Sequence, residues 1–117
     1  MGRLTTHVLD TANGRPGAGV RITLYRNLGE RYALVKDAVT NADGRCDAPL
    51  LEGAAFTAGR YRLVFAAGEY FAAQGARLPE PTFVDEVVLD FGVADSEAHY
   101  HVPLLVSPWS YSTYRGS

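Results

Sequence analysis

The chain has 117 residues, enough for one domain to bury its own core, and its 47% apolar content excludes wholesale disorder. A formal charge of −2, with acids and bases mixed along the chain, leaves no basic stripe of the kind a nucleic-acid backbone needs. The lone cysteine, Cys46, excludes an intrachain disulfide and a four-cysteine metal site, as suits a reducing compartment.

No segment approaches the length of a membrane-spanning helix, and no membrane partner is expected. The N-terminus lacks the basic, apolar and small-residue progression of a secretory signal. A cytoplasmic location is therefore expected, although a mature periplasmic form with its signal removed would read the same.

Strand signals begin at once. Leu4-Thr5-Thr6-His7-Val8-Leu9-Asp10 is rich in β-branched residues and ends in the turn cluster Asn13-Gly14-Arg15-Pro16-Gly17. Val20, Ile22 and Leu24 then alternate with Arg21, Thr23 and Tyr25, the pattern of a half-buried strand. A third run, Tyr32 to Val39, closes on Thr40-Asn41-Ala42-Asp43-Gly44-Arg45, where Asp and Gly tolerate the left-handed backbone of a tight turn. A short strand is predicted near Arg45 to Ala48, and another where Tyr61, Leu63 and Phe65 alternate with polar neighbours.

The period then changes. Glu69 to Gln74 reads as a short helix with Gly75 placed to cap it. Pro79-Glu80-Pro81 restarts the chain in extended form. Thr82 to Phe91, His99 to Val106 and Ser110 to Tyr114 are predicted strands, with Pro108 separating the last two. Seven or eight strands and one short helix predict an all-β sandwich or barrel occupying residues 1–117 as a single domain.

Alternation divides Ala98-His99-Tyr100-His101-Val102-Pro103-Leu104-Leu105-Val106 into two faces. Tyr100, Val102, Leu104 and Val106 suit a core. His99, His101, Pro103 and Leu105 suit a wetted cleft or a subunit interface. In the first strand His7 likewise falls opposite Leu4, Thr6 and Val8. A strand histidine is usually structural, so catalysis, a structural role and a shared metal on His7, His99 and His101 all stay open on pattern alone. Arg45 reads as a solvated strand-start residue or as an anion-binding fork. Cys46 has no evident histidine partner in sequence and is not expected to be a nucleophile. The terminal Ser110-Tyr111-Ser112-Thr113-Tyr114-Arg115-Gly116-Ser117 is dense in aromatic and hydroxyl groups, unlike an ordinary fraying tail. Alternation puts Ser112 and Tyr114 on one face.

Four segments together carry a resemblance: Leu4 to Asp10, Thr40 to Arg45, His99 to Leu105 followed by Ser107-Pro108, and the ending Tyr114-Arg115-Gly116-Ser117. The chain resembles, along its whole length, the 5-hydroxyisourate hydrolases of the transthyretin-like family. Transthyretin, the carrier of the same fold, resembles the framework but lacks the two histidines, the arginine and this ending.

The resemblance implies a transthyretin-like sandwich of two four-stranded sheets with one short helix. It also implies a homotetramer, built as a dimer of dimers, with active sites at the dimer–dimer interface. The implied activity is hydrolysis of 5-hydroxyisourate to 2-oxo-4-hydroxy-4-carboxy-5-ureidoimidazoline in urate breakdown, with no metal or cofactor. The family's functional positions match His7, Arg45, His101 and Tyr114, with Ser112 and Ser117 close by as substrate-binding residues. His99 matches no core position and is expected to be peripheral.

Overall fold

A computed structural model describes residues 1–117. Its strands are β1 Arg3–Asp10, β2 Arg15–Pro16, β3 Arg21–Asn27, β4 Tyr32–Val39, β5 Leu51–Glu52, β6 Gly59–Ala66, β7 Glu86–Val93, β8 His99–Val106 and β9 Tyr111–Thr113. The helix α1 spans Ala67–Ala73. The strands form two facing sheets, β2-β1-β8-β9 with β5 also on β1, and β4-β3-β6-β7.

In the first sheet, β1 runs parallel to β8 over its whole length. Its other edge is filled piecewise. β5 pairs with Arg3 and Leu4, Arg45 bridges to His7, and β2 pairs with Leu9 and Asp10. These fragments share one strand position, so each sheet is four strands wide as the resemblance implies. The arrangement is a transthyretin-like sandwich.

The expected alternation is present. Leu4, Val8, Tyr100, Val102, Leu104 and Val106 enter the core from the first sheet, against Ile22, Leu24, Leu63, Phe65 and Val87 from the second. Burial of such side chains is worth about 1.5–3 kcal/mol each and fixes the register, because a one-residue slip would expose the whole set. His7, His99 and His101 therefore share the opposite, outer face.

The helix starts two residues before the sequence reading, at Ala67, because Tyr70 and Phe71 bury against the sandwich. Gly75 caps it as expected, with φ at 81°. The strand predicted near Arg45 to Ala48 is absent apart from the single Arg45 bridge. There the Asn41 amide donates to the Asp47 carboxylate at 3.0 Å, and Pro49 has no N–H to give a ladder. The strand predicted from Thr82 starts only at Glu86, after the proline-rich segment.

Candidate active site

Pairing along the outer face lays the polar residues out as a grid. The parallel register sets Arg3 beside His99, Thr5 beside His101 and His7 beside Pro103. On the far edge of β1, Arg45 stands opposite His7. On the far edge of β8, Gly116 stands opposite His101. Residues near both ends and the middle of the chain thereby border one cleft of about 480 Å³, whose walls include Arg3, Thr5, Arg45, His99, His101 and Ser117.

The turn before Arg45 is built to hold His7. Asn41 Oδ1 accepts the amides of Asp43 at 2.9 Å and Arg45 at 3.2 Å, a side-chain-closed turn. Gly44 sits at φ 75°, and a Cβ there would lie 2.3 Å from the Val8 carbonyl oxygen. Only glycine fits both conditions. The turn presents the Asp43 carbonyl to His7, whose Nε2–H donates to it at 2.9 Å. A carbonyl only accepts, so the proton of neutral His7 is on Nε2 and its Nδ1 lone pair is free.

His101 is engaged at the other nitrogen. Its Nδ1 lies 2.8 Å from Thr5 Oγ1, and the same hydroxyl lies 2.8 Å from His99 Nε2. His101 Nε2 is left without a partner in the chain. Burial, the Arg45 guanidinium and the neighbouring His99 and His7 all disfavour a charged His101, so its pKa falls below the ordinary 6.5. Burial and the guanidiniums of Arg3 and Arg115 lower His99 in the same way. Both imidazoles are thus held neutral around pH 7, as a proton acceptor requires.

The guanidinium of Arg45 makes no ion pair with any carboxylate of the chain; the two ion pairs present are Arg21–Glu69 and Arg62–Asp90. A free planar cation beside a neutral imidazole suits an oxygen-rich anionic or polarised carbonyl group. Cys46 also borders the cleft, but burial raises its thiol pKa and disfavours the thiolate. The three histidines do not converge on one point. Thr5 lies between His99 and His101, and His7 Nε2 is turned to the Asp43 carbonyl.

The C-terminus is an ordered wall of the site. β9 pairs with β8 through Leu104↔Thr113 and Leu105↔Ser112, and the same register continues to His101↔Gly116. The Gly116 amide donates to the His101 carbonyl at 2.7 Å, and the His101 amide to the Gly116 carbonyl at 3.3 Å. A Cβ on Gly116 would come within 3.1 Å of His101 Cβ and Cδ2, so the backbone lies flat against that ring. Arg115 donates to the His99 carbonyl at 3.3 Å and stacks 4.2 Å over Tyr100.

Of the residues singled out in sequence, His7, Arg45, His101 and Ser117 gather at or beside the cleft. Ser112 pairs with Leu105 and is exposed, away from the cleft walls. Tyr114 is 60% exposed and lines a second cavity of about 400 Å³, with Phe91 and Tyr100 at the open edge between the sheets. Within one chain it does not face His101. His99, expected to be peripheral, borders the cleft and joins His101 through Thr5. Arg3 and Thr5 were given no site role in sequence, and Gly116 was noted only as part of the terminal tetrapeptide. Alternation placed Thr5 on the face of His7, but nothing local revealed the strand it would meet.

Comparison with known proteins gives a consistent result. A family model described as the HIUase/Transthyretin family matches residues 4–116. The 5-hydroxyisourate hydrolase of Pseudomonas aeruginosa is 61% identical over 117 residues, covering 100% of this chain and 93% of that protein. The crystal structure of an (S)-allantoin synthase superposes with a TM-score of 0.94 at 51% identity. That match covers 99% of this chain and 44% of the other, so this chain spans less than half of that protein. The structure of Klebsiella pneumoniae 5-hydroxyisourate hydrolase gives a TM-score of 0.82 at 37% identity, with 100% of both chains covered.

Proposed function

The chain belongs to the HIUase/Transthyretin family, and on that premise we propose that it hydrolyses 5-hydroxyisourate to 2-oxo-4-hydroxy-4-carboxy-5-ureidoimidazoline. One observation supports this most. Two imidazoles, His7 and His101, each with one nitrogen already engaged and one free, sit beside an arginine with no ion-pair partner on a single wet sheet face.

Hydrolytic opening of the ring adds one water. A bond forms between the water oxygen and a ring carbonyl carbon, a ring C–N bond breaks, and water's proton ends on the departing nitrogen. The reaction therefore needs a base for water, a cation for the developing oxyanion and a proton donor for nitrogen. His7 and His101 share the proton transfers through Nδ1 and Nε2 respectively. Arg45 binds the substrate's oxygens and stabilises the oxyanion. Ser117 closes the cleft by its position, and Ser112 and Tyr114 complete the substrate contacts from another protomer of a homotetramer.

That assembly is in keeping with the exposed β9, the exposed Val88 of β7 and the apolar cavity between them, which leave both sheets open on one side. Light scattering on a sizing column tests it, and a monomer at working concentration would remove Tyr114 from the site.

The direct test follows the ultraviolet decay of freshly generated 5-hydroxyisourate, with the spontaneous rate subtracted. His101→Ala is expected to lose about 10²–10⁴-fold in turnover, the usual worth of general acid–base help. Near-normal activity would end this assignment. A chelator is expected to leave the rate unchanged, and inhibition by it would favour a metal held by the histidines.

A further inference from the structure

We propose that Thr5 is a positioning residue for proton transfer at His101, its one hydroxyl holding His101 as the Nδ1–H tautomer with Nε2 bare toward the cleft. The inference rests on the reading of His101 as a proton-transfer group. Thr5 Oγ1 stands 2.8 Å from both His101 Nδ1 and His99 Nε2. A hydroxyl has one proton and two lone pairs. Its only hydrogen-bond partners in the chain are the two rings, so using its proton means donating to one neutral ring and accepting from the other.

The two arrangements are not equivalent for chemistry. If Thr5 donated to His101, the ring's only proton would sit on Nε2, and no lone pair would face the cleft. If Thr5 donates to His99, His101 Nδ1–H donates to Thr5 and Nε2 is free to take a proton from water. When it does, the resulting imidazolium keeps its bond to Thr5 and no group needs to rotate. Every proton in the chain already points the right way.

His99 supplies the acceptor that makes this arrangement possible, and it can do so only while neutral. The surroundings favour that state. Arg3 on β1 lies beside it and Arg115 of the C-terminal segment binds its carbonyl, and both cations oppose its charging. Around His101 stand Arg45 and His7, with Asp47 and Ser117 on the same cleft. Two residues apart on one strand face, His99 and His101 have ring centroids 6.1 Å apart, and β1 sets Thr5 between them. A histidine expected to be peripheral thus becomes the far end of a two-bond relay.

The test compares Thr5→Val, which keeps shape and strand preference but has no hydroxyl, with Thr5→Ser, which keeps the hydroxyl. Two readouts are taken: the tautomer of His101 from its ring 15N shifts in the unliganded protein, and kcat and KM for 5-hydroxyisourate across pH. Wild type is expected to show Nδ1–H at His101, and Thr5→Val to shift the population toward Nε2–H. Thr5→Val should lose about tenfold in kcat with KM little changed, and Thr5→Ser should recover most of it. An unchanged tautomer in Thr5→Val, or unchanged kcat while His101→Ala is inactive, overturns the inference and leaves the role of His101 standing. An active His101→Ala instead overturns the catalytic reading on which the inference rests.

Discussion

Removing Tyr114-Arg115-Gly116-Ser117 should separate folding from catalysis. The truncation leaves β9, Tyr111–Thr113, paired with β8. It deletes the two backbone hydrogen bonds between Gly116 and His101, the Arg115 bond to the His99 carbonyl and the Arg115–Tyr100 stack. Exposed backbone bonds contribute about 0.5–1.5 kcal/mol each net, so the pair is worth about 1–3 kcal/mol. The exposed Arg115 contacts, a cation–π stack and a long 3.3 Å bond to the His99 carbonyl, together add about 0.5–1 kcal/mol. A loss of about 1.5–4 kcal/mol falls short of the about 5–15 kcal/mol that holds a domain together. At roughly 4 °C per kcal/mol, Tm should drop by about 6–16 °C with the β-sheet circular dichroism signal kept. Turnover should drop much further, by about 10²-fold or more, because the backbone against the His101 ring, the Ser117 wall and Tyr114 all go together. The assay is ultraviolet decay of 5-hydroxyisourate on protein first shown to be folded. A truncated protein that is folded and fully active would refute the reasoning about the site, and one that is unfolded would refute the energetics.

The acid limb of the kcat/KM profile should lie below pH 6.5, because His101 is held below that ordinary value by burial and by Arg45. Arg45→Gln removes that cation, so the limb should move to higher pH while turnover falls. A limb that stays in place would show that Arg45 does not act on His101. Stability follows the same groups. His99 and His101 charge less readily in the folded chain than in the unfolded one. The unfolded chain therefore binds more protons below about pH 6.5, so stability should decline as pH falls through that range and be flat above it, as measured by urea midpoints. Gly44→Ala should cost more than about 2 kcal/mol, from the left-handed backbone and the 2.3 Å approach to the Val8 carbonyl, and should lower Tm accordingly.

Local chemistry made much of this protein readable in advance. The two-residue period assigned β3, β6 and β8 and told the core face of β8 from the histidine face, because a strand offers only two sides and the core accepts apolar ones. The turn at Asn41 to Gly44 and the cap at Gly75 were legible because each is closed by its own neighbours. The segment after Arg45 and the start of β7 were misjudged, since propensity there yielded to a side-chain clasp from Asn41 and to backbone bonds of Val84 with the Pro108 carbonyl and of Asp85 with the Gly68 amide.

His7, Arg45, His101 and the terminal tetrapeptide stood out from pattern and composition, the family resemblance chose among their possible roles, and the sequence by itself determined which groups exist and which face of a strand each would take. Who stands beside whom was decided only by the tertiary structure. The pairing of β1 with β8 joins residues 96 positions apart, a choice made by the packing of two whole sheets and by no local signal. That pairing puts one threonine hydroxyl between two imidazoles, while the β8–β9 register brings Gly116 under one of them and leaves Tyr114 on the second cavity, away from His101.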